Sequence, residues 1–263
     1  MDGLVVVKIG GSTLGNEDTS VQDLVSLQEQ GVPIIIVHGG GRMISDWMER
    51  YGKRPVFVDG LRVTDADSME IVTAVLTGLV NKNLVADLIS LKGRAVGISG
   101  VDGGLVQARI ADSRLGYVGT VTKVTPGILV NLLSQGFIPV VSPVGLHEMD
   151  GSLNEGRTLN INADILAADI ACALKAERLI FLTDVEGVLD TSGRLIPRIT
   201  NRHAKILVRS GVIKGGMIPK LEAALRALIE VPRVDIVDGR QAGSIRNSVL
   251  DNGIGTQIVS KDS

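Results

Sequence analysis

Short β-branched apolar runs alternate along this chain with longer stretches of helical periodicity, and that alternation restricts it to a layered architecture. Residues 4–9, 34–37, 95–98, 138–141, 179–182 and 234–237 are nearly unbroken runs of apolar residues. A strand with one wet face alternates, whereas a strand covered on both faces does not, so these read as buried, parallel strands. Helical patterns lie between them, around residues 21–30, 43–51, 65–91, 126–135, 163–174 and 221–229. The order predicts an α/β fold, a three-layer αβα sandwich with a mostly parallel central sheet. Two segments break the alternation. Residues 56–63 turn over at Asp59-Gly60, and residues 105–124 hold two strand-like pieces; both predict β-hairpins. No Pro/Ser linker, low-complexity segment or internal repeat divides the 263 residues, so one sheet is expected through both halves of a single domain, 1–263.

Composition narrows the function. Hydrophobic residues make up 44% of the chain and aromatics only 2%, which suits strands packed by Leu/Ala helices and not the stacking of bases. With 27 basic and 29 acidic residues the net charge is −2, so no global field collects nucleic acid or an anionic membrane. The single cysteine, Cys172, excludes an internal disulfide and a Cys-based zinc site, and its apolar helical setting reads as a core thiol. The three histidines lack the H-E-x-x-H spacing of a zinc site. No signal-peptide pattern opens the chain and no apolar run reaches the ~18 residues of a membrane span, so a cytoplasmic enzyme or binding protein is expected.

The 32 glycines cluster where strands end. The first strand runs into Lys8-Ile9-Gly10-Gly11-Ser12, and the second into Val37-His38-Gly39-Gly40-Gly41 with a helix close behind. Open α/β sheets bind ligands beyond the C-terminal ends of their strands. Glycines there let the backbone come close, and successive free N–H groups make a nest for anionic oxygens, helped by the following helix N-terminus. Lys8 is placed to reach a phosphoryl group. G-x-x-x-x-G-K-[ST] is absent and no G-x-G-x-x-G opens a helix, which disfavours a P-loop kinase and a dinucleotide oxidoreductase. His38-Gly39-Gly40-Gly41 also resembles an esterase oxyanion loop, but the G-x-S-x-G elbow that reading needs is missing.

A second constellation follows. In Asn160-Ile161-Asn162-Ala163-Asp164, an extended backbone would put Asn160, Asn162 and Asp164 on one side to hold a polar substrate and a cation; alternatively Asn162 caps the next helix, with Asp164 in its first turn. Lys214-Gly215-Gly216-Met217-Ile218-Pro219-Lys220 is a glycine turn feeding a helix. A lysine in that first turn opposes the helix dipole and calls for an anion nearby. Thr183-Asp184-Val185-Glu186-Gly187-Val188 turns sharply after a strand, as a nucleotide-contacting loop would.

Together with Gly60-Leu61-Arg62-Val63-Thr64-Asp65, these segments resemble the amino acid kinase family across essentially the whole chain, and within it the branch that phosphorylates N-acetyl-L-glutamate. The resemblance implies the carbamate kinase-like fold, with an N-terminal lobe (about 1–170) for the amino-acid substrate and a C-terminal lobe (about 171–263) for ATP. It implies phosphoryl transfer from ATP to the γ-carboxylate of N-acetyl-L-glutamate in arginine biosynthesis. Lys8 and Lys220 would neutralise the transferred phosphoryl and Asp164 would orient them. Gly40, Gly41, Arg62 and Asn160 would hold the substrate, Arg62 by its α-carboxylate. Gly10, Gly11, Gly39, Thr183, Asp184, Val185, Gly187, Val188, Gly215, Gly216 and Met217 would hold ATP. Mg2+ would be carried mainly by the nucleotide phosphates and water, with no protein-held metal.

Two departures from the family pattern stand out. The stretch 147–159 is longer than usual, so the cover over the substrate is expected to differ. The chain also begins almost on its first strand, without the N-terminal helix of arginine-inhibited hexamers, so a homodimer without that inhibition is expected. Two alternatives carry the same fold: a kinase of carrier-protein-linked aminoadipate or glutamate, which shares Gly78-Leu79-Val80-Asn81-Lys82 but lacks the Asn160 motif, and a non-catalytic sensor of amino acids or nucleotides.

Overall fold

The apolar runs become the central strands of one eight-stranded sheet. The computed structural model describes residues 2–10, 19–58, 60–148, 158–213, 215–250 and 252–260. The chain starts with β1 (Val5–Ile9), α1 (Ser20–Glu29), β2 (Ile34–His38) and α2 (Gly41–Arg50). A short hairpin, β3 (Phe57–Val58) and β4 (Leu61–Arg62), leads into one continuous helix, Ala66–Ser90. That helix consists of α3 (Ala66–Thr73), a π-helical stretch (Ala74–Val80) and α4 (Asn81–Ser90). Next come β5 (Ala95–Ser99), β6 (Val106–Ile110), β7 (Val118–Val124), α5 (Gly127–Ser134), β8 (Ile138–Ser142), β9 (Val144–His147) and β10 (Thr158–Ile161). The last third adds α6 (Ala163–Ala173), β11 (Arg178–Thr183), β12 (Arg198–Thr200), α7 (Asn201–Arg209), α8 (Met217–Ala227), β13 (Arg233–Asp238), α9 (Ser244–Val249) and β14 (Thr256–Val259).

The sheet runs β12-β14-β13-β11-β1-β2-β8-β5. Neighbours from β13 to β5 are parallel; β14 pairs antiparallel with β13 and parallel with β12, so those two edge strands run against the rest. The pleat explains the unbroken apolar runs. Ile35, Val37, Leu179 and Phe181 face one core, with α5, α6, α7 and α8, while Ile34, Ile36, Ile180 and Leu182 face another, with α1, α4 and α9. Four more strands close on one another in the order β10-β7-β6-β9. Their interior is tight: a Cβ on Gly145 would lie 2.6 Å from Ile161 Cδ1, and one on Gly119 2.9 Å from Leu159 Cβ.

All six expected buried strands form, and both expected hairpins close. The helix expected from residue 221 begins earlier, at Met217, because Pro219 falls within its first turn, where a missing N–H costs nothing. The helix Ala66–Ser90 is long and apolar enough to cross a bilayer by length and composition. Here it packs against α2, β10, β5 and β8, with Val72, Val75, Leu76, Val80, Leu84 and Leu88 buried.

Candidate active site

Three charged side chains meet where β1, α6 and α8 converge. Lys8 lies between Val37 of β2 and Phe181 of β11 in register, and the pleat turns it, like Val6, toward the layer that holds α6 and α8. Asp164 stands in the first turn of α6, and Lys220 in the first turn of α8. The Lys8 ammonium is 3.0 Å from Asp164 Oδ1 and the Lys220 ammonium 3.1 Å from Oδ2. Lys220 also lies over the Phe181 ring, 5.7 Å from its centroid. Asp164 is thus the anion that the lysine in the first turn of α8 calls for. Burial pushes the Asp164 carboxyl up, and the two ammoniums more than offset this, holding it below the usual carboxylate range. Burial, reinforced by the charge of Lys8, lowers the Lys220 pKa. Two ammoniums share one carboxylate, so the group carries an excess positive charge in a poorly solvated place. A further anion would balance it.

Beside this group lies a cavity of about 200 Å³, lined by Lys8, Gly39, Gly40, Gly41, Arg62, Asn160 and Asp164. The turn after β2 forms one wall. Gly39 N–H donates to the Ile9 carbonyl oxygen at 2.8 Å, which ties the turn to the end of β1. A Cβ on Gly40 would lie 2.7 Å from Leu76 Cδ2, so only glycine lets the turn press on the long helix; a Cβ on Gly41 would meet nothing within 4 Å. The N–H groups of Gly40 and Gly41 meet no acceptor among the described residues.

Arg62 forms the facing wall. Its Nη2 donates to the Gly41 carbonyl oxygen at 2.7 Å and to Ser45 Oγ at 2.8 Å, and its guanidinium lies 4.7 Å from the Phe57 ring centroid. Only 7% exposed, it has no carboxylate partner among the described residues, and burial lowers its pKa. Asp65 instead pairs with Lys53 at 3.0 Å and caps α3 through Ser68 N–H; Asp59 lies outside the described residues. A buried guanidinium whose partners are uncharged is poised for an anion from outside. Asn160, on β10, donates to Thr64 Oγ1 at 3.2 Å. Asn162 proves to be the helix cap: its Oδ1 accepts from the N–H groups of Asp164 (2.9 Å) and Ile165 (3.2 Å), which sets the first turn of α6 and hence Asp164.

The other expected residues lie outside the cavity lining. Thr183 ends β11 and closes a turn by donating to the Val185 carbonyl oxygen at 2.7 Å. Gly187 adopts φ 149°, and a Cβ there would fall 2.6 Å from Thr256 Oγ1, which accepts from the Val188 N–H at 2.8 Å. Asp184 is exposed and acts on Lys220 electrostatically. Gly215 takes a left-handed φ of 57°, Gly216 caps α8, and Met217 begins it. Lys220 therefore stands between this second set of loops and the cavity. Gly10 follows β1; Gly11 and Lys214 lie outside the described residues. Phe57 and Ser45 carry no sequence signal beyond their nearness to the glycine turns, and Thr64 and the buried His38 stand in the quoted motifs without a role assigned to them.

A sheet whose adjacent strand ends carry a lysine and a glycine nest, with a second lysine held by a shared aspartate, defines a small-molecule kinase outside the P-loop class. Residues 3–238 match the amino acid kinase family, and the chain belongs to it. An acetylglutamate kinase of Dehalococcoides mccartyi strain 195 is 41% identical over 97% of this chain and 94% of its own length. Those of Synechococcus sp. RCC307 and Archaeoglobus fulgidus are each 44% identical over 97% of this chain, covering 87% and 92% of their lengths. Among solved structures, smu.665 from Streptococcus mutans matches with a TM-score of 0.85 and 32% identity, covering 99% of this chain and 100% of its own. N-acetylglutamate synthase of Neisseria gonorrhoeae, complexed with coenzyme A and N-acetyl-glutamate, matches with a TM-score of 0.85 and 26% identity over 99% of this chain and 60% of its own. Carbamate kinase of Giardia lamblia, at 13% identity and a TM-score of 0.72 over 98% of this chain and 99% of its own, shares the fold.

Proposed function

We propose that this chain transfers the γ-phosphoryl group of ATP to the γ-carboxylate of N-acetyl-L-glutamate, yielding N-acetylglutamyl 5-phosphate and ADP in arginine biosynthesis. The observation that carries the reading is the Lys8–Asp164–Lys220 group beside a small cavity bounded by free glycine N–H donors and a buried Arg62 without a carboxylate partner. Relatives bearing the name acetylglutamate kinase, similar over nearly the full chain, support it.

The chemistry needs no general base, because a carboxyl with an ordinary pKa of about 4.3 is already ionised at neutral pH. A carboxylate oxygen forms the new bond to phosphorus as the bond to the ADP oxygen breaks. Charge spread over the transferred group is met by Lys8 and Lys220, which Asp164 holds in place, and by the Gly40 and Gly41 N–H donors. Arg62 clamps the substrate carboxylate that does not react, and Asn160 holds the acetamido end. Gly10, Gly11, Gly39, the 183–188 turn and Gly215, Gly216 and Met217 hold ATP. On this reading the N-terminal lobe, about 1–170, takes the amino acid and the C-terminal lobe, about 171–263, the nucleotide. Among the described residues no cluster of acidic, histidine or cysteine side chains could cage a metal, and both Asp164 oxygens are engaged by ammoniums, so Mg2+ would arrive on the ATP phosphates with water ligands. The enzyme is further read as a cytoplasmic homodimer, which sedimentation would test.

Trapping the product with hydroxylamine tests the reaction directly, since an acyl phosphate yields a hydroxamate. Acetylglutamate should give hydroxamate and ADP in equal amounts, while aminoadipate and aspartate give little. Absence of hydroxamate with acetylglutamate would refute the proposal.

A further inference from the structure

Behind the glycine turn, His38, Asn81 and Lys82 form a hydrogen-bonded series to which the reaction above assigns no role. His38 is fully buried at the end of β2. Its Nε2 lies 3.1 Å from Asn81 Nδ2, and its Nδ1 lies 2.8 Å from the Gly39 carbonyl oxygen. The Asn81 amide can be oriented without reference to the histidine. Its Oδ1 accepts from the Lys82 ammonium at 3.1 Å, and its Nδ2 also meets the carbonyl oxygens of Val140 at 2.9 Å and Ile98 at 3.3 Å. Carbonyl oxygens only accept, so the group facing them and His38 is the amide donor. His38 Nε2 therefore accepts, and a neutral imidazole with an accepting Nε2 carries its proton on Nδ1. That proton is donated to Gly39. Burial holds the His38 pKa down at about 4, so the neutral ring persists at working pH. The slot for Asn81 is closely fitted: a Cβ on Gly97 would lie 2.0 Å from its Oδ1.

The effect on the turn follows from the peptide bond. In a trans peptide the C=O and N–H point in opposite directions. With the Gly39 carbonyl bound to His38, the N–H of Gly40 in the same peptide is turned away from His38. Gly40 lines the cavity, and its N–H meets no acceptor among the described residues. We infer that His38 and Asn81 are positioning residues for the transfer: Asn81 selects the Nδ1–H form of His38, and His38 locks the Gly39–Gly40 peptide so that the Gly40 N–H is preset to donate to an anionic oxygen in the cavity. A donor fixed beforehand stabilises developing charge without reorganising when the reaction occurs. The identity of that oxygen rests on the proposed phosphoryl transfer; the hydrogen-bonded series does not.

Two measurements test it. The imidazole nitrogen shifts of the resting enzyme, read by NMR at neutral pH and assigned with His38→Asn, should show a protonated Nδ1 and an unprotonated Nε2. In kinetics, His38→Leu removes the donor and should lower kcat on the order of 10²-fold, with both KM values within about threefold. His38→Asn places an amide nitrogen near the former Nδ1 and should recover most of that loss. Asn81→Leu, which removes the donor to Nε2 and so frees the ring, should lower kcat as well, which keeps the test open should His38→Leu fail to fold. An Nε2–H form in the wild type, an undiminished kcat in His38→Leu, or no recovery in His38→Asn would overturn the inference. If the wild type makes no acyl phosphate, the proposed function fails, while the tautomer can still be read.

Discussion

Arg62 donates to the carbonyl oxygen of Gly41 across 2.7 Å, which fastens the β3–β4 hairpin to the glycine turn after β2. The two walls of the cavity are therefore set relative to each other before any substrate enters.

Arg62 should accordingly govern affinity for the amino acid. Contacts to a non-reacting carboxylate are alike in ground and transition states, so their loss raises KM more than it lowers kcat. Arg62→Ala should raise KM for acetylglutamate roughly tenfold or more, equivalent to about 1.4 kcal/mol, with little change for ATP. Arg62→Lys should restore only part, because an ammonium lacks the bidentate fork. An unaltered acetylglutamate KM would show that Arg62 serves only the hairpin.

The charge group separates effects on activity from effects on stability. Lys8→Ala and Lys220→Ala should each reduce kcat on the order of 10²-fold or more. Neither should weaken folding much, because either change relieves the excess of positive charge around Asp164. Asp164→Ala leaves two ammoniums buried together and should cost about 3 kcal/mol of stability, by the scale of breaking a buried pair from one side. Urea unfolding of the three variants, beside their kinetics, checks both halves.

His38 makes stability pH-dependent with a defined sign. Its pKa falls from 6.5 in the unfolded chain to about 4 in the fold, so between these values the unfolded state binds the extra proton. Stability is thus full above about pH 6.5 and declines as the pH falls toward 4, by about 3 kcal/mol in all. The difference between unfolding free energies at neutral pH and near pH 4.5 should shrink by roughly 2–3 kcal/mol in His38→Asn, which cannot titrate. An equal acid loss in both proteins would contradict the assignment.

Adjacent glycines should respond differently to one methyl group. Gly40→Ala drives a Cβ against Leu76 and Val80 and should destabilise by about 1–3 kcal/mol. Gly41→Ala points into open space, so the melting temperature should hold while activity falls. Comparable melting losses in both would mean that the turn is not pressed on the long helix as described.

The fold was legible where strands are buried on both faces, because such strands cannot hide their apolar runs. It was illegible at β12 and β14, short strands of mixed character at the sheet edge, and at β9 and β10, whose pairing across the closed four-stranded sheet leaves no local pattern. Within the site, lysines beside glycines announced themselves because each is a poor choice for packing alone. Asn162 served two readings, and the structure takes the capping one: it caps α6, and the cap is what aims Asp164. His38 was hidden because nothing in a sequence reveals that Asn81, 43 positions away, faces its ring.

The π-helical stretch Ala74–Val80 lies immediately before Asn81. Such a stretch carries one residue more than the same span of α-helix, so everything after it is rotated by about 100° about the axis. The wider turn therefore works as a phase shifter. Ala66 to Thr73 keep one azimuth, packing on α2 and β10, while Asn81 is dialled round to β2 and β8. An ordinary α-helical repeat over the same residues would swing Asn81 out of its slot, whereas deleting a single residue within 74–80 would take up the extra residue and leave Asn81 where it now stands.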